Sequence, residues 1–386
     1  MNNKPRYTKG TMRNQIVQLM HVSSVMTSRS YKLFDRPQHM ANVMVLLRKE
    51  GVVERLRCPE ICEILSLQNY SENLDEYFYD NIPEEEIEYF EQYGKVDVRK
   101  AKYLKDESVS RSARIIKNGE IILLMCSSGI PTLPSEKKHI VQNKRLTDNV
   151  YYQSREIKYY AGYTDDIEES ESGKAVIATR INGTLLTAGG NYNIYHIGKD
   201  IQTWSAPGEY KIKNFIQNML ANYINMDSYM LDSALLFSYD LSLFQKFIEP
   251  TQKLRARYEG LQLTYSNIYI LPYDKNGREM IKIMSSKDWI YRINYEVMGE
   301  VPKDTHMLDV TCDYYDGEIY TFVFCVPNMA RYIEFISKAR LVNDKERFQV
   351  MCFDFQVEFV AKSASRYANI YTASFNEFAE EWFGAK

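Results

Sequence analysis

No stretch of the chain approaches the roughly 18 consecutive apolar residues that a membrane-spanning helix needs. The opening Met1-Asn-Asn-Lys-Pro-Arg6 leads into no apolar segment, so no secretory leader is expected either. The six cysteines are scattered, and Cys58 and Cys62 have neither a second pair nor a nearby histidine to complete a zinc site. Five histidines never fall at a two-histidine metal spacing. The sequence holds no G-x-x-x-x-G-K-[ST] phosphate loop and no G-x-S-x-G nucleophile elbow. These gaps exclude loop-type ATP hydrolysis and elbow-type acyl transfer. They point to a cytoplasmic, reduced protein with no metal, no cofactor and no membrane contact.

What the chain does have is a sharply divided charge. Residues 1–58 carry 11 Lys/Arg against 3 Asp/Glu, and residues 59–92 carry 11 acidic residues and no Lys or Arg. The remainder balances, so the near-neutral total of -3 hides a cationic N-terminus of net +8. A basic block of this kind attracts a polyanion.

Helical spacing narrows the choice to duplex DNA. Thr11 is placed to cap a first helix with Ile16, Leu19 and Met20 on one face. A short second helix is expected over Ser28–Phe34. Pro37 suits the first turn of a third helix that reaches Glu50, where Met40, Val43, Met44 and Leu47 form a core stripe and Gly51 is the stop. Alternation in residues 52–57 and again in 61–65 predicts a hairpin. Three helices and a hairpin make a winged helix-turn-helix. With the stripe inward, Gln38, His39, Asn42 and Lys49 lie outward, where amides pair adenine edges. Ser28, Arg29 and Lys32 are placed for phosphates, and Arg55 and Arg57 alternate on the wing.

Residues 68–107 read as an acidic linker with one helix near Glu84–Tyr93, and the alternative is a DNA mimic that screens the basic block. Residues 108–230 read as a middle region, with a helix over Arg111–Ser128 despite Gly119 and strands at Gly173–Arg180, Thr184–Thr187 and Tyr192–Ile197. A helix over Glu209–Ile224 completes that region. In 231–386, strands near 234–238, 267–271, 280–284, 319–326, 349–353 and 369–372 alternate with helices, which predicts an α/β domain. Asp274-Lys-Asn-Gly277 reads as a turn between two strands. The overall expectation is α/β (α+β), with the N-terminal winged helix-turn-helix in residues 1–67 forming a separate domain able to bind DNA alone.

Two acidic groupings fit nuclease chemistry, in which carboxylates and a lysine hold a divalent metal and orient water. Glu156-Ile-Lys158 fits E-x-K, although its nearest upstream aspartate, Asp148, is too close for strand pairing. The cluster Asp309, Asp313, Asp316 and Glu318 contains Asp316-Gly317, which a tight hairpin turn explains without catalysis.

Three stretches carry a family likeness. They are Met26–Phe34 continuing to Leu46-Leu-Arg-Lys-Glu-Gly-Val-Val-Glu-Arg-Leu-Arg57, Thr179–Thr187 followed by Tyr192–Gly198, and Ile270–Asp274 through Ile281–Met284. On these the chain resembles the replication-relaxation-type winged-helix proteins of plasmids and integrative conjugative elements of Gram-positive bacteria. The resemblance implies an N-terminal DNA-binding domain and a C-terminal α/β domain related in shape to restriction-endonuclease-like folds. The function expected is non-catalytic, sequence-preferring binding of double-stranded DNA in plasmid replication, transfer or transcription control. The partners expected are a second copy of the chain and replication or transfer proteins. A divalent-metal nuclease and a ligand-responsive transcriptional regulator are the alternatives.

Overall fold

The computed structural model describes residues 11–23, 25–50, 53–58, 62–67, 109–133, 136–137, 149–154, 156–157, 180–224, 231–299 and 309–384. The chain divides into two compact units, one drawn from residues 1–143 and 150–160 and the other from 144–149 and 161–386. The expected strand Gly173–Arg180, except its last residue, and the helix near Glu84–Tyr93 lie outside the described residues. So do Gly51, Asp148 and Lys158.

In the first unit, α1 (Met12–Ser23) buries Ile16, Leu19 and Met20 as its spacing predicts. A three-residue strand, β1 (Val25–Thr27), follows directly and is buried throughout. The helix expected over Ser28–Phe34 is only a single 3-10 turn, Ser30–Leu33. Two local constraints cut it short. Thr27 Oγ1 lies 3.0 Å from Ser30 Oγ, which ties the turn to the end of the strand. Phe34 is already extended, and Pro37 keeps Arg36 out of the helical region. Helix α2 (Pro37–Lys49) then begins on its proline and buries Met40, Val43, Met44 and Leu47. Strands β2 (Glu54–Cys58) and β3 (Cys62–Leu67) form an antiparallel hairpin. β1 pairs antiparallel with β3, so the sheet order is β1-β3-β2.

The boundary expected at residue 67 does not close this unit. Helix α3 (Val109–Ser127), assigned from sequence to the middle region, packs on α1, β1 and the 3-10 turn. Gly119 is what permits the approach. A Cβ there would stand 2.9 Å from the Val25 carbonyl oxygen and 3.0 Å from that of Ser23. Strand β4 (Val150–Gln153) completes the described part of the unit.

The second unit is mixed α/β, as the strand–helix alternation predicts. β5 (Gly183–Thr187) and β6 (Gly190–Gly198) form an antiparallel hairpin. α4 (Ala206–Ile224) carries the chain to β7 (Ser233–Ser238), parallel to β6, and α5 (Gln252–Gln262) carries it to β8 (Asn267–Pro272), parallel to β7. The strand expected over Met280–Met284 is instead the end of helix α6 (Lys275–Met284). Asp274 is its N-cap, accepting a 3.0 Å hydrogen bond from the Gly277 N–H rather than starting a hairpin turn. After α7 (Trp289–Met298) a second sheet forms in the order β12-β11-β10-β9. Its strands are β9 (Tyr314–Tyr315), β10 (Tyr320–Val323), β11 (Phe348–Phe353) and β12 (Asn369–Ala373), separated after β10 by α8 (Met329–Val342) and α9 (Val357–Ala364). β10, β11 and β12 run parallel. α10 (Phe375–Phe383) ends the described chain. Among the described residues no helix is long and apolar enough to cross a membrane.

A directional hydrogen-bond chain runs through the buried core of this unit. Thr184 Oγ1 donates to Asn193 Oδ1 at 2.9 Å, and Asn193 Nδ2 donates to the Tyr265 hydroxyl at 2.7 Å. Tyr195 donates to Glu209 Oε2 at 2.6 Å, which leaves the Tyr265 hydrogen for the 2.9 Å bond to Tyr195. Burial pushes the Glu209 carboxyl up to about 7, against the opposing pull of the Tyr195 bond and the Arg180 charge. The folded state therefore holds a proton that the unfolded chain releases near its ordinary 4.5. The contribution of Glu209 to stability is therefore full below pH 4.5 and falls by about 3 kcal/mol as pH rises to 7. Glu209→Gln keeps an acceptor for Tyr195 and removes the titration. Thermal melts should show the variant gaining stability at pH 8 and little at pH 4, whereas parallel pH profiles for the two proteins would refute the assignment.

Candidate nucleic-acid interface

Helix α2 presents two opposite faces. The buried stripe fixes its rotation, and the outward residues are Gln38, His39, Asn42, Val45, Leu46 and Lys49, all exposed. Gln38, Asn42, Val45 and Lys49 follow one another at i, i+4, i+7 and i+11, so they form one line along the helix. Gln38 Nε2 donates to Asn42 Oδ1 at 3.4 Å, which orients the two amides jointly. Of the phosphate candidates, Ser28 and Lys32 are exposed on the turn before α2 and Arg29 is half-buried beside them. Arg55 and Arg57 lie on β2, and their side chains fall outside the described residues.

The turn that precedes α2 is held from below by a residue that sequence reasoning passed over. Glu120 of α3 is buried, and its Oε1 accepts a 2.8 Å hydrogen bond from Thr27 Oγ1, itself 3.0 Å from Ser30 Oγ. A carboxylate immediately before the apolar run Ile121-Ile-Leu-Leu-Met125 is the signal that marks it. The far end of α2 is tied to α1 by an ion pair between Arg13 and Glu50. The exposed line is thus carried on a helix fixed at both ends.

The nuclease candidates are placed differently. Glu156 is buried with Lys137, their side chains 1% and 2% exposed, and Oε2 accepts from Lys137 Nζ at 2.7 Å and from the Gln153 N–H at 2.7 Å. Lys137 also donates to the Tyr151 carbonyl at 2.6 Å. Burial pushes the Lys137 ammonium below its ordinary range, against the raising pull of Glu156. The E-x-K glutamate therefore has a lysine partner other than the one its motif supplies. Asp313 Oδ1 pairs with Arg331 at 2.8 Å, and its Oδ2 accepts from the Val323 N–H at 2.8 Å. Asp316 Oδ1 accepts from the N–H groups of Glu318 and Ile319 at the tip of the β9–β10 hairpin, where Gly317 has φ +108°. Both aspartates are occupied in holding the hairpin. Among the described residues no group of three or more His, Cys, Asp and Glu is placed to hold a metal ion.

In the second unit a small open cleft lies at the carboxyl ends of β7, β8 and β11, lined by Tyr239, Asp240, Pro272, Asp274, Phe355 and Phe359 among others. Comparison with protein-family models, curated proteins and solved structures finds no match.

Proposed function

We propose that the protein binds double-stranded DNA through a winged helix-turn-helix in its first unit, with α2 as the recognition helix. The observation that carries this reading is the exposed amide line of α2 on a frame of connectivity α1-β1-turn-α2-β2-β3 and sheet order β1-β3-β2. That connectivity puts a strand between the first two helical elements and a hairpin after the last, as a winged helix requires. The net charge of +8 in residues 1–58 supplies the polyanion attraction.

In this reading the α/β unit dimerises the protein or recruits replication or transfer proteins in the cytoplasm, and the host setting is a mobile element. A shape related to restriction endonucleases belongs to the same proposal. The second reading, a ligand-responsive regulator, is favoured by the cleft at the carboxyl ends of parallel strands, where α/β sheets commonly bind ligands. A rise in melting temperature with a small-molecule library would support it.

The test of the first reading is a mobility-shift titration with the full chain. With roughly 4–6 phosphates contacted, log K should fall against log salt with a slope of about −4 to −5. Asn42→Ala should lose roughly 1–3 kcal/mol of discrimination between selected and random duplexes, while Lys32→Ala weakens both alike. No binding to any duplex at low salt removes the proposal.

A further inference from the structure

We infer that Val45 and Leu46 read thymine methyl groups, so that the site preferred by this protein contains A·T pairs contacted through the major groove. The inference rests on the DNA-binding reading above. Val45 is 38% and Leu46 49% exposed, and among the first-unit residues whose side chains are described they are the only large hydrophobic ones left in that state. Every other large apolar residue on α2 is buried. The exposed pair is also not placed at random. Val45 continues the line of Gln38 and Asn42, and Leu46 lies one turn beyond Asn42 and two beyond His39.

The chemistry of that line matches one base pair on both its strands. Carboxamides such as Gln38 and Asn42 pair the N6 and N7 edge of adenine, and the thymine opposite presents its C5-methyl into the same groove. An aliphatic side chain beside an amide therefore has a partner within the same or the adjacent pair. The charge of the surface favours DNA over a second copy of the chain as the occupant. Lys49 is exposed beside the two apolar residues, Lys32 is exposed on the preceding turn, and residues 1–58 carry net +8. Self-association across α2 would bring these like charges together, whereas phosphates neutralise them.

The experiment uses the full chain and a duplex enriched by it from a random library. Each thymine is replaced by deoxyuridine, which deletes the methyl and leaves every hydrogen-bonding group of the groove. Loss of binding of about fourfold for each contacted methyl is expected. Val45→Ala/Leu46→Ala should abolish the thymine–uracil difference and keep the wild-type melting temperature, because both side chains are exposed. Asn42→Ala should keep that difference. Equal affinity of wild type for the thymine and uracil duplexes overturns the inference while leaving DNA binding intact. A change in sedimentation of the double variant with an unchanged thymine–uracil ratio also overturns it, and makes the pair a self-association surface. Failure to enrich or retain any duplex removes the DNA-binding reading and this inference with it.

Discussion

A chain ending at Leu67 is expected not to fold, and a chain ending at Tyr160 is expected to melt cooperatively. The shorter one holds every residue of the α2 face but lacks α3. Ile116, Ile121, Ile122, Leu123 and Leu124 are each 0% exposed. At about 2 kcal/mol per buried aliphatic side chain, their burial contributes on the order of 10 kcal/mol. That is comparable with the whole net stability of a domain, about 5–15 kcal/mol. Truncation also removes Glu120, leaving the Thr27 hydroxyl without that acceptor at the corner that aims α2. Far-UV circular dichroism melts of the two chains decide the matter. A sigmoidal transition for the 67-residue chain, with duplex binding equal to that of the longer one, would restore the boundary read from sequence. A milder version uses the full chain. Gly119→Val pushes side-chain atoms against the Val25 and Ser23 carbonyls, and overpacking of this kind costs about 1–3 kcal/mol.

The same contacts explain what the sequence could and could not show. The core stripe of α2 was legible because a 3.6-residue period over 13 residues, opened by a proline, has no competing pattern. β1 was not legible, because three buried residues between two helical segments carry no period at all. The turn Ser30–Leu33 resembled a full helix by composition, and a side-chain bond between Thr27 and Ser30 decided otherwise. Asp274-Lys-Asn-Gly277 suits a hairpin turn and a helix start equally. What decides is tertiary. A Cβ on Gly277 would lie 1.9 Å from the Pro272 carbonyl oxygen, so the glycine serves close packing of the first helical turn on the end of β8. The place of α3 was hidden by sequence distance, since nothing local says which unit a helix beginning at Val109 will join. At the candidate interface, Gln38, His39, Asn42 and Lys49 follow from rotating α2 about its buried stripe. Val45 and Leu46 could have been found the same way, as apolar residues that fall off the stripe.

Breaking the buried Lys137–Glu156 pair at one end is expected to cost about 3–5 kcal/mol, because the surviving charge stays in a site from which water is excluded. Lys137→Met strands the Glu156 carboxylate, and Glu156→Leu strands the ammonium. Both changes together remove the two charges at once. They still leave the Gln153 N–H without its Glu156 acceptor, a loss worth about 1–3 kcal/mol for a buried group. The double variant should therefore remain less stable than wild type, yet be more stable than the sum of the single effects predicts, by roughly 2 kcal/mol or more. Denaturant titrations of the four proteins give that coupling directly. The cycle also separates a structural from a catalytic role for the E-x-K glutamate. A catalytic carboxylate would be lost with little change in stability and a large change in Mg²⁺-dependent cleavage. A pair that holds β4 to the segment around Lys137 gives the opposite pattern. Additive single effects, or a Glu156→Gln protein with wild-type stability that has lost a cleavage activity present in the parent, would overturn the structural role and bring the nuclease reading forward.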